Sequence, residues 1–183
     1  MLLIFGLKHQ IFKNLLKIPN LSAKHITFVY TNIVMTIEDI IQTKTLPLSR
    51  KLTINLLYSA NWANDIITEA IKPFDISLQQ FNVLRILRGQ KNKPANLSTI
   101  NSRMVSKMSN TTRLVDKLIT KGYTERTVCP SNRRKVEITI TEKGLSLLEK
   151  VDPVINNAEN KVTEQLHKDE LELLNKLLNK LRQ

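Results

Sequence analysis

The sequence predicts a mainly α-helical protein with one small β-hairpin, and three observations support this fold class. Only 4 of the 183 residues are glycine and 5% are aromatic, so helices should dominate. Residues 106–123, SKMSNTTRLVDKLITKGY, place apolar side chains on one arc of a helix and polar side chains on the other. After Gly122 the helical period gives way to alternation, which predicts paired β-strands.

Residues 1–34 differ from the rest of the chain. They contain four lysines and no acidic residue, and Pro19 interrupts any helix. Met35 then begins MTIEDII, which resembles an ordinary protein start. We therefore expect residues 1–34 to be an N-terminal extension without a function of its own. The alternative is a basic, apolar anchor lying on a membrane surface. The sequence contains no run of about 18 apolar residues, so we expect no membrane-spanning helix.

A first helix is predicted from Ser49, as its cap, to Lys72, because Pro73 stops it. Its main apolar stripe follows helical spacing. Further apolar side chains lie off that stripe: Leu57, Tyr58 and Trp62. This additional apolar surface favours a subunit interface, and burial within its own domain is the alternative.

Two shorter helices are predicted next. The first starts at Ser77, whose spacing to Gln80 is that of a capping box, and it continues to Gly89. Residues 90–96 are polar and include a proline, which predicts a loop or a short edge strand. The second covers residues 97–104.

The second of these helices has Ser98 as its predicted cap and is followed, after a turn of three or four residues, by the amphipathic helix at 106–123. Ser106 is the predicted cap of the amphipathic helix, and Gly122 can end it in the left-handed conformation. Two helices joined this tightly, the second polar and basic outside, form a helix-turn-helix. Its polar arc offers amides, hydroxyls and an arginine, the groups that pair with base edges in a major groove.

Positive charge is concentrated around this helix. The net charge is +12, and residues 85–135 contain thirteen basic and two acidic residues, whereas residues 35–84 and 136–183 are each slightly acidic. A concentrated basic region indicates a polyanionic partner. The alternative is a basic face that only serves solubility.

Two alternating, β-branched segments at 123–128 and 136–141 predict the hairpin. Three consecutive cations lie at its tip: Arg133, Arg134 and Lys135. Cations placed there suit a minor groove or flanking phosphates. The alternative is a solvated turn whose charges protect an edge strand.

The C-terminal part predicts two more helices. Thr141 caps the first, and Pro153 should kink or end it. The last follows His167 and carries a wide leucine face that includes Leu171, Leu174 and Leu178. Because so short a helix is not stable alone, this face must meet another surface.

Several kinds of chemistry find no support in the sequence. The single cysteine, Cys129, excludes an internal disulfide framework and fits a reducing compartment. We see no phosphate-binding glycine loop, metal-spaced Cys/His set or catalytic triad. We therefore predict no enzyme activity, catalytic residue, metal or other cofactor, and we expect a cytoplasmic protein.

The segment NLSTINSRMVSKMSNTTRLVDKLITKGYTERTVCPSNRRKVEITITEKGLSLL resembles the MarR family of winged-helix bacterial transcription regulators. The likeness is most specific in TTRLVDKLITKGY, NRRKVEITIT and TEKG, and the element order agrees over residues 35–183. The resemblance implies a homodimer built by the first and last helices. It also implies that two recognition helices enter successive major grooves while two wings enter minor grooves.

When the DNA-contacting positions of the family are carried over to this sequence, the resemblance implies that Asn110, Thr112 and Arg113 contact bases. It also implies that Arg133 and Arg134 make the DNA contacts of the wing. The family usually has Asp-x-Arg in the wing, whereas here Asn132 stands in place of the aspartate. Any ion pair made by that acid must be absent or replaced by a neutral hydrogen bond. This departure concerns the rigidity of the wing and leaves the fold prediction unchanged.

We therefore predict a winged helix-turn-helix DNA-binding lobe with a helical dimerisation region. The predicted function is sequence-specific transcriptional regulation by a repressor. We expect this repressor to bind a pseudo-palindromic operator as a homodimer and to be released from it by a small-molecule effector. The alternative is a non-specific DNA- or RNA-binding winged-helix module.

The predicted domains are the extension 1–34, the dimerisation helix 35–75, the DNA-binding lobe 76–141 and the dimerisation helices 142–183. The predicted DNA contacts are Ser109, Asn110, Thr112, Arg113 and Lys117 on the recognition helix and Arg133, Arg134 and Lys135 on the wing, and the predicted dimerisation residues are Leu171, Leu174 and Leu178.

Overall fold

The computed structural model describes residues 35–91, 93–106, 110–128 and 136–183, so the N-terminal extension lies outside the described residues. The chain forms two compact units, one ending at Ala60 and the other running from Asn61 to Gln183. None of the described helices is long and apolar enough to cross a membrane.

The first unit contains α1 (Ile37–Ile40) and the beginning of α2 (Leu48–Ile71). The α1 helix, which was not predicted, starts with a capping box in which the Thr36 N–H donates to Asp39 Oδ2 at 2.9 Å. The prediction that Ser49 caps α2 was wrong. The helix already includes Leu48, and its first turn closes through the Lys51 N–H, which donates to the Pro47 carbonyl at 2.9 Å.

The second unit continues from α2 into a 3-10 turn, Lys72–Phe74, where Pro73 interrupts the helix as predicted. Asp75 follows the turn with a φ of 52°, in the left-handed region. The next helix, α3 (Leu78–Arg88), starts with the predicted capping box. The Ser77 N–H donates to Gln80 Oε1 at 2.9 Å, and the Gln80 N–H donates to Ser77 Oγ at 3.2 Å.

The helix-turn-helix is confirmed with different caps. Asn96 rather than Ser98 caps α4 (Leu97–Arg103), because its Oδ1 accepts the Thr99 N–H at 2.8 Å. The recognition helix α5 (Thr111–Thr120) is shorter than predicted, and Asn110 rather than Ser106 caps it. The helix α4 ends at Arg103 and α5 begins at Thr111, so the two helices lie further apart in sequence than predicted. The predicted end of α5 is confirmed, since Gly122 has a φ of 74°.

The hairpin is confirmed as two antiparallel strands, β1 (Thr124–Val128) and β2 (Val136–Ile140), with Thr124 opposite Ile140. Before α4, the predicted edge strand is reduced to one residue. The Ala95 N–H donates to the Ile138 carbonyl at 2.9 Å, and the Ile138 N–H donates back at 2.8 Å. The hairpin is thereby fastened to the segment that leads into α4.

Two helices complete the chain, α6 (Glu142–Thr163) and α7 (Lys168–Leu181). Thr141 caps α6 as predicted, its Oγ1 accepting the Gly144 N–H at 3.1 Å. Pro153 lies inside α6 and does not end it. At the start of α7, the His167 N–H donates to Glu170 Oε2 at 2.8 Å.

A single apolar core holds α3, α4, α5, β2 and the first half of α6 together. Its fully buried members are Ile71, Phe81, Val83, Leu84, Ile100, Met104, Val115, Leu118, Ile138, Leu148 and Val151. At the edge of this core, the Arg88 guanidinium of α3 binds the Asp152 carboxylate of α6, with Nη1 and Oδ2 2.5 Å apart. Burial of these side chains supplies most of the driving force for folding and fixes α5 in place.

Candidate nucleic-acid interface

The recognition helix α5 has one buried face and one exposed face. Val115 and Leu118 are fully buried in the core. The side chains of the opposite face are exposed: Thr112, Arg113, Asp116, Lys117 and Thr120. The predicted polar arc is therefore on the surface, where it can meet a groove of DNA.

The first turn of α5 is held by two asparagines. Asn110 Oδ1 accepts the Arg113 N–H at 3.1 Å and so caps the helix. Thr111 Oγ1 donates to Asn101 Oδ1 of α4 at 3.0 Å, linking the two helices of the helix-turn-helix. Asn110 was predicted as a base contact only. Its oxygen serves the cap, which leaves its side-chain NH2 group to reach a base.

Arg113 and Lys117 carry the positive charge of the exposed face. Neither side chain forms an ion pair or hydrogen bond with another residue in the part of the chain that the structure describes. Both cations are therefore available to a ligand, as their predicted roles require. An unpaired guanidinium on a recognition helix can bridge two acceptors of one guanine in the major groove.

The acidic residue of this exposed face, Asp116, is paired with an arginine of the β-hairpin. Asp116 Oδ1 lies 2.7 Å from Arg126 Nη2 on β1. Because the ion pair compensates the carboxylate, Asp116 repels DNA phosphates less than a free acid would. This pair was not predicted from the sequence. The residues lie on different predicted elements, so no helical or strand spacing indicates their contact.

A groove of about 600 Å³ lies beside the second half of α5, between that helix and the end of α2. Three lysines line it, Lys72, Lys117 and Lys121, together with the hydroxyl groups of Thr68, Ser77 and Thr120. Asp75 is the carboxylate of this lining, and Lys121 Nζ lies 2.7 Å from its Oδ2. This contact, through hydrogen bonding first and charge second, lowers the pKa of Asp75 below its ordinary value. The groove is therefore net positive.

Several predicted site residues lie outside the described residues, so their roles stay predictions. They are Ser109, from the predicted recognition helix, and Asn132, Arg133, Arg134 and Lys135, from the predicted wing. Within the described ranges no group of three or more His, Cys, Asp or Glu residues could hold a metal ion.

The predicted dimerisation helix α7 has an apolar face that the described residues leave largely uncovered. Leu174 is 44% exposed, and Leu171 and Leu178 are half-buried. The same helix also exposes Leu173, Leu177 and Leu181. In the first unit, α2 likewise exposes four leucines: Leu48, Leu52, Leu56 and Leu57. Surfaces of this kind on a folded protein indicate an interface.

Comparisons with known proteins agree on one family. The family model described as "MarR family" matches residues 76–136. The multiple antibiotic resistance protein MarR of Escherichia coli (strain K12) is 29% identical over 129 residues, which cover 69% of this chain and 88% of that protein. The transcriptional repressor MprA of the same strain is 32% identical over 117 residues, covering 62% of this chain and 66% of that protein.

Solved structures show the same fold. A mutant of E. coli MarR complexed with operator DNA is 24% identical, with a TM-score of 0.64 over 80% of this chain and 99% of that one. Bordetella bronchiseptica BpsR, whose DNA binding is regulated by 6-hydroxynicotinic acid, is 20% identical, with a TM-score of 0.67 over 76% of this chain and 98% of that one.

Proposed function

Because residues 76–136 place this chain in the MarR family of transcription regulators, we propose that it is a repressor that binds a pseudo-palindromic DNA operator as a homodimer. The family and the relatives are regulators rather than enzymes. One relative is itself a transcriptional repressor.

The exposed face of α5 is the observation that carries this proposal. Arg113 and Thr112 point away from the core, and the Arg113 guanidinium has no partner among the described residues. The neighbouring acid, Asp116, is held by Arg126. A face with a free arginine, a hydroxyl and a compensated acid suits base readout rather than simple solvation.

The homodimer is supported by the uncovered leucines of α7 and of the first half of α2. Two copies related by a two-fold axis present two recognition helices. Their half-sites are then expected about 10–10.5 base pairs apart, which makes the operator a pseudo-palindrome. In the same arrangement Arg133, Arg134 and Lys135 of each wing reach a minor groove or the flanking phosphates.

The first test compares two duplexes: the one that wild-type protein selects from a randomised library, here the operator duplex, and a scrambled duplex of equal length. Arg113→Ala is expected to weaken binding to the operator duplex by about 1–3 kcal/mol and to relax the preference at one base position per half-site. Binding to the scrambled duplex should change much less. Titrations of both duplexes at several salt concentrations measure these effects.

Arg134→Ala is the matched control, because it removes the same side chain from the wing instead of the recognition helix. It should weaken binding to both duplexes nearly alike. The slope of log affinity against log salt concentration should become shallower by about one unit for each phosphate that the arginine neutralises in the wild type. If Arg113→Ala weakens both duplexes equally, Arg113 does not read a base. If the wild-type protein selects no preferred duplex, the alternative of a non-specific DNA- or RNA-binding module is correct.

For the effector, we propose an organic acid that binds in the groove beside α5. Three lysines and three hydroxyl groups line this groove, and its carboxylate, Asp75, is already paired with Lys121. Lys117 belongs both to the groove and to the exposed face of α5. An acid bound to Lys117 therefore competes with DNA for the same cation. The regulation of BpsR by a carboxylic acid supports this class of ligand.

Benzoate is a suitable probe because it presents one carboxylate on an apolar ring. We expect benzoate to release the wild-type protein from the operator duplex. The Lys72→Gln variant should need about ten times more benzoate for the same release, because it loses one charge-assisted hydrogen bond to the carboxylate of benzoate. Lys72 is not part of α5, so binding without benzoate should stay unchanged. Lys176→Gln on α7 is the control for loss of one lysine. Equal benzoate sensitivity of all three proteins would contradict this site.

A further inference from the structure

The lysine that follows the recognition helix is attached to the connection between α2 and α3. Lys121 Nζ donates to Asp75 Oδ2 at 2.7 Å and also to the Asp75 backbone carbonyl. One ammonium group thus holds both the side chain and the main chain of a single residue. The Lys121 side chain is 29% exposed, which fits a group that lies along the protein surface rather than in solvent.

The partner residue is itself fixed. Asp75 ends the 3-10 turn Lys72–Phe74 in the left-handed conformation, and its N–H donates to the Lys72 carbonyl at 3.2 Å. Aspartate and asparagine tolerate this conformation better than most residues. Asp75→Asn therefore keeps the turn and removes only the charge.

The same end of α5 is also fastened to the start of α6. Lys143 Nζ donates to the Lys121 carbonyl at 2.8 Å, and Thr141 Oγ1 donates to the Gly122 carbonyl at 2.7 Å. The far end of α5 rests on Asn101 through Thr111. The middle of α5 is packed in the core and is tied to β1 through Asp116 and Arg126. The contact with Asp75 adds one more attachment near the end of α5, on the side of the α2–α3 connection, where it can influence the tilt of the helix.

We propose that Lys121 and Asp75 are positioning residues for DNA recognition: their contact sets the tilt of α5 and so places Arg113 against the bases. This inference rests on the proposed operator binding. The Asp75 carboxylate is 96% exposed, so the ion pair adds little to folding stability. Its effect is instead on placement, because a bidentate contact between arginine and guanine tolerates little displacement.

The competing role for Lys121 is a direct contact with a DNA phosphate, the usual task of a lysine on a DNA-binding surface. The two roles predict opposite results for Asp75→Asn. A positioning pair loses operator affinity when the carboxylate is removed. A phosphate-binding lysine gains affinity for any DNA when its competing partner is neutralised.

The experiment measures Asp75→Asn, Lys121→Gln and the double variant on the operator and scrambled duplexes. We expect Asp75→Asn to weaken operator binding about three- to tenfold without weakening binding to the scrambled duplex. The double variant should bind the operator duplex with an affinity no lower than that of the single variant that binds it less tightly. The reason is that both substitutions remove the same interaction, the contact between Lys121 and Asp75. The thermal unfolding midpoint should hardly change, which separates positioning from a general loss of structure.

Two results would overturn the proposal. One is a gain or no change in operator affinity for Asp75→Asn, and the other is strict additivity of the two single losses. A carboxyl titration by NMR tests the pair without DNA. The pKa of Asp75 should lie below its ordinary value in the wild type and return to it in Lys121→Gln. An ordinary pKa in the wild type also refutes the pair, whereas failure to select any duplex refutes only the operator binding on which the inference rests.

Discussion

Gly144→Ala is expected to destabilise the protein by about 3 kcal/mol, the upper part of the range for overpacked sites. A Cβ atom at this position would collide with the backbone carbonyl of Tyr123 and lie 2.8 Å from Ile140 Cγ1. The first collision is with main chain, so either α6 or the end of α5 must move. Thermal unfolding followed by circular dichroism should show a midpoint lowered by roughly 6–12 °C for a chain of this length.

Gly89→Ala is the matched control. Gly89 follows α3 with a φ of −64°, and a Cβ atom there would lie 3.4 Å from its nearest neighbours. Alanine fits this conformation and reduces the entropy of the unfolded chain, so this substitution should be neutral or slightly stabilising. If Gly144→Ala is as stable as Gly89→Ala, the close approach of α6 to Tyr123 is wrong.

Removal of residues 170–183 is expected to convert the proposed homodimer into a monomer or a poorly soluble protein. The deleted segment contains almost all of α7, with Leu173, Leu174, Leu177 and Leu181 exposed. Exposed leucines gain free energy when a second copy covers them, on the order of 25 cal/mol per Å² of apolar surface. Size-exclusion chromatography with light scattering measures the mass of each species.

Two full-length variants make this test specific. Leu174→Ser with Leu177→Ser should dissociate the dimer while the chain keeps its length. Glu172→Ala with Lys176→Ala removes two charged, exposed side chains from the same helix and should leave the dimer intact. A soluble dimer in the truncated protein would mean that another surface joins the two copies. Loss of the dimer should also sharply reduce operator binding, because each monomer reaches only one half-site.

The parts of the fold that depend on local chemistry could be predicted from the sequence. The capping box of Ser77 and Gln80, the cap by Thr141 and the left-handed Gly122 need only a few neighbouring residues. The alternation after Gly122 likewise predicted both strands. In each case the interacting groups are close in sequence, so residue type and spacing are sufficient.

The helix starts at Asn96 and Asn110 could not be predicted in this way. Ser98 and Ser106 are equally good caps by residue type. In the structure Ile100 and Thr111 are buried, and burial depends on the assembled core, which local residue types do not reveal. Asn110 consequently has a structural role that its predicted contact with a base did not include.

The polar contacts around α5 depend even more on tertiary structure. Lys121 and Asp75 are 46 residues apart, and Asp116 and Arg126 belong to different elements. Neither pair follows a helical or strand period. The exposure of Arg113 was predictable from the amphipathic pattern, whereas its lack of a partner among the described residues could be found only from the structure.

Pro153 within α6 has a mechanical consequence. Proline has no amide hydrogen, so the carbonyl of Glu149 receives no helical hydrogen bond, and α6 is less stiff there than elsewhere along its length. Asp152, one residue earlier, is bound to Arg88 of α3. On the other side of the proline, Ile155 is buried in the core. The weakened turn of α6 is therefore held on both sides, by an ion pair before the proline and by apolar packing after it, and this arrangement opposes bending of the helix at that point.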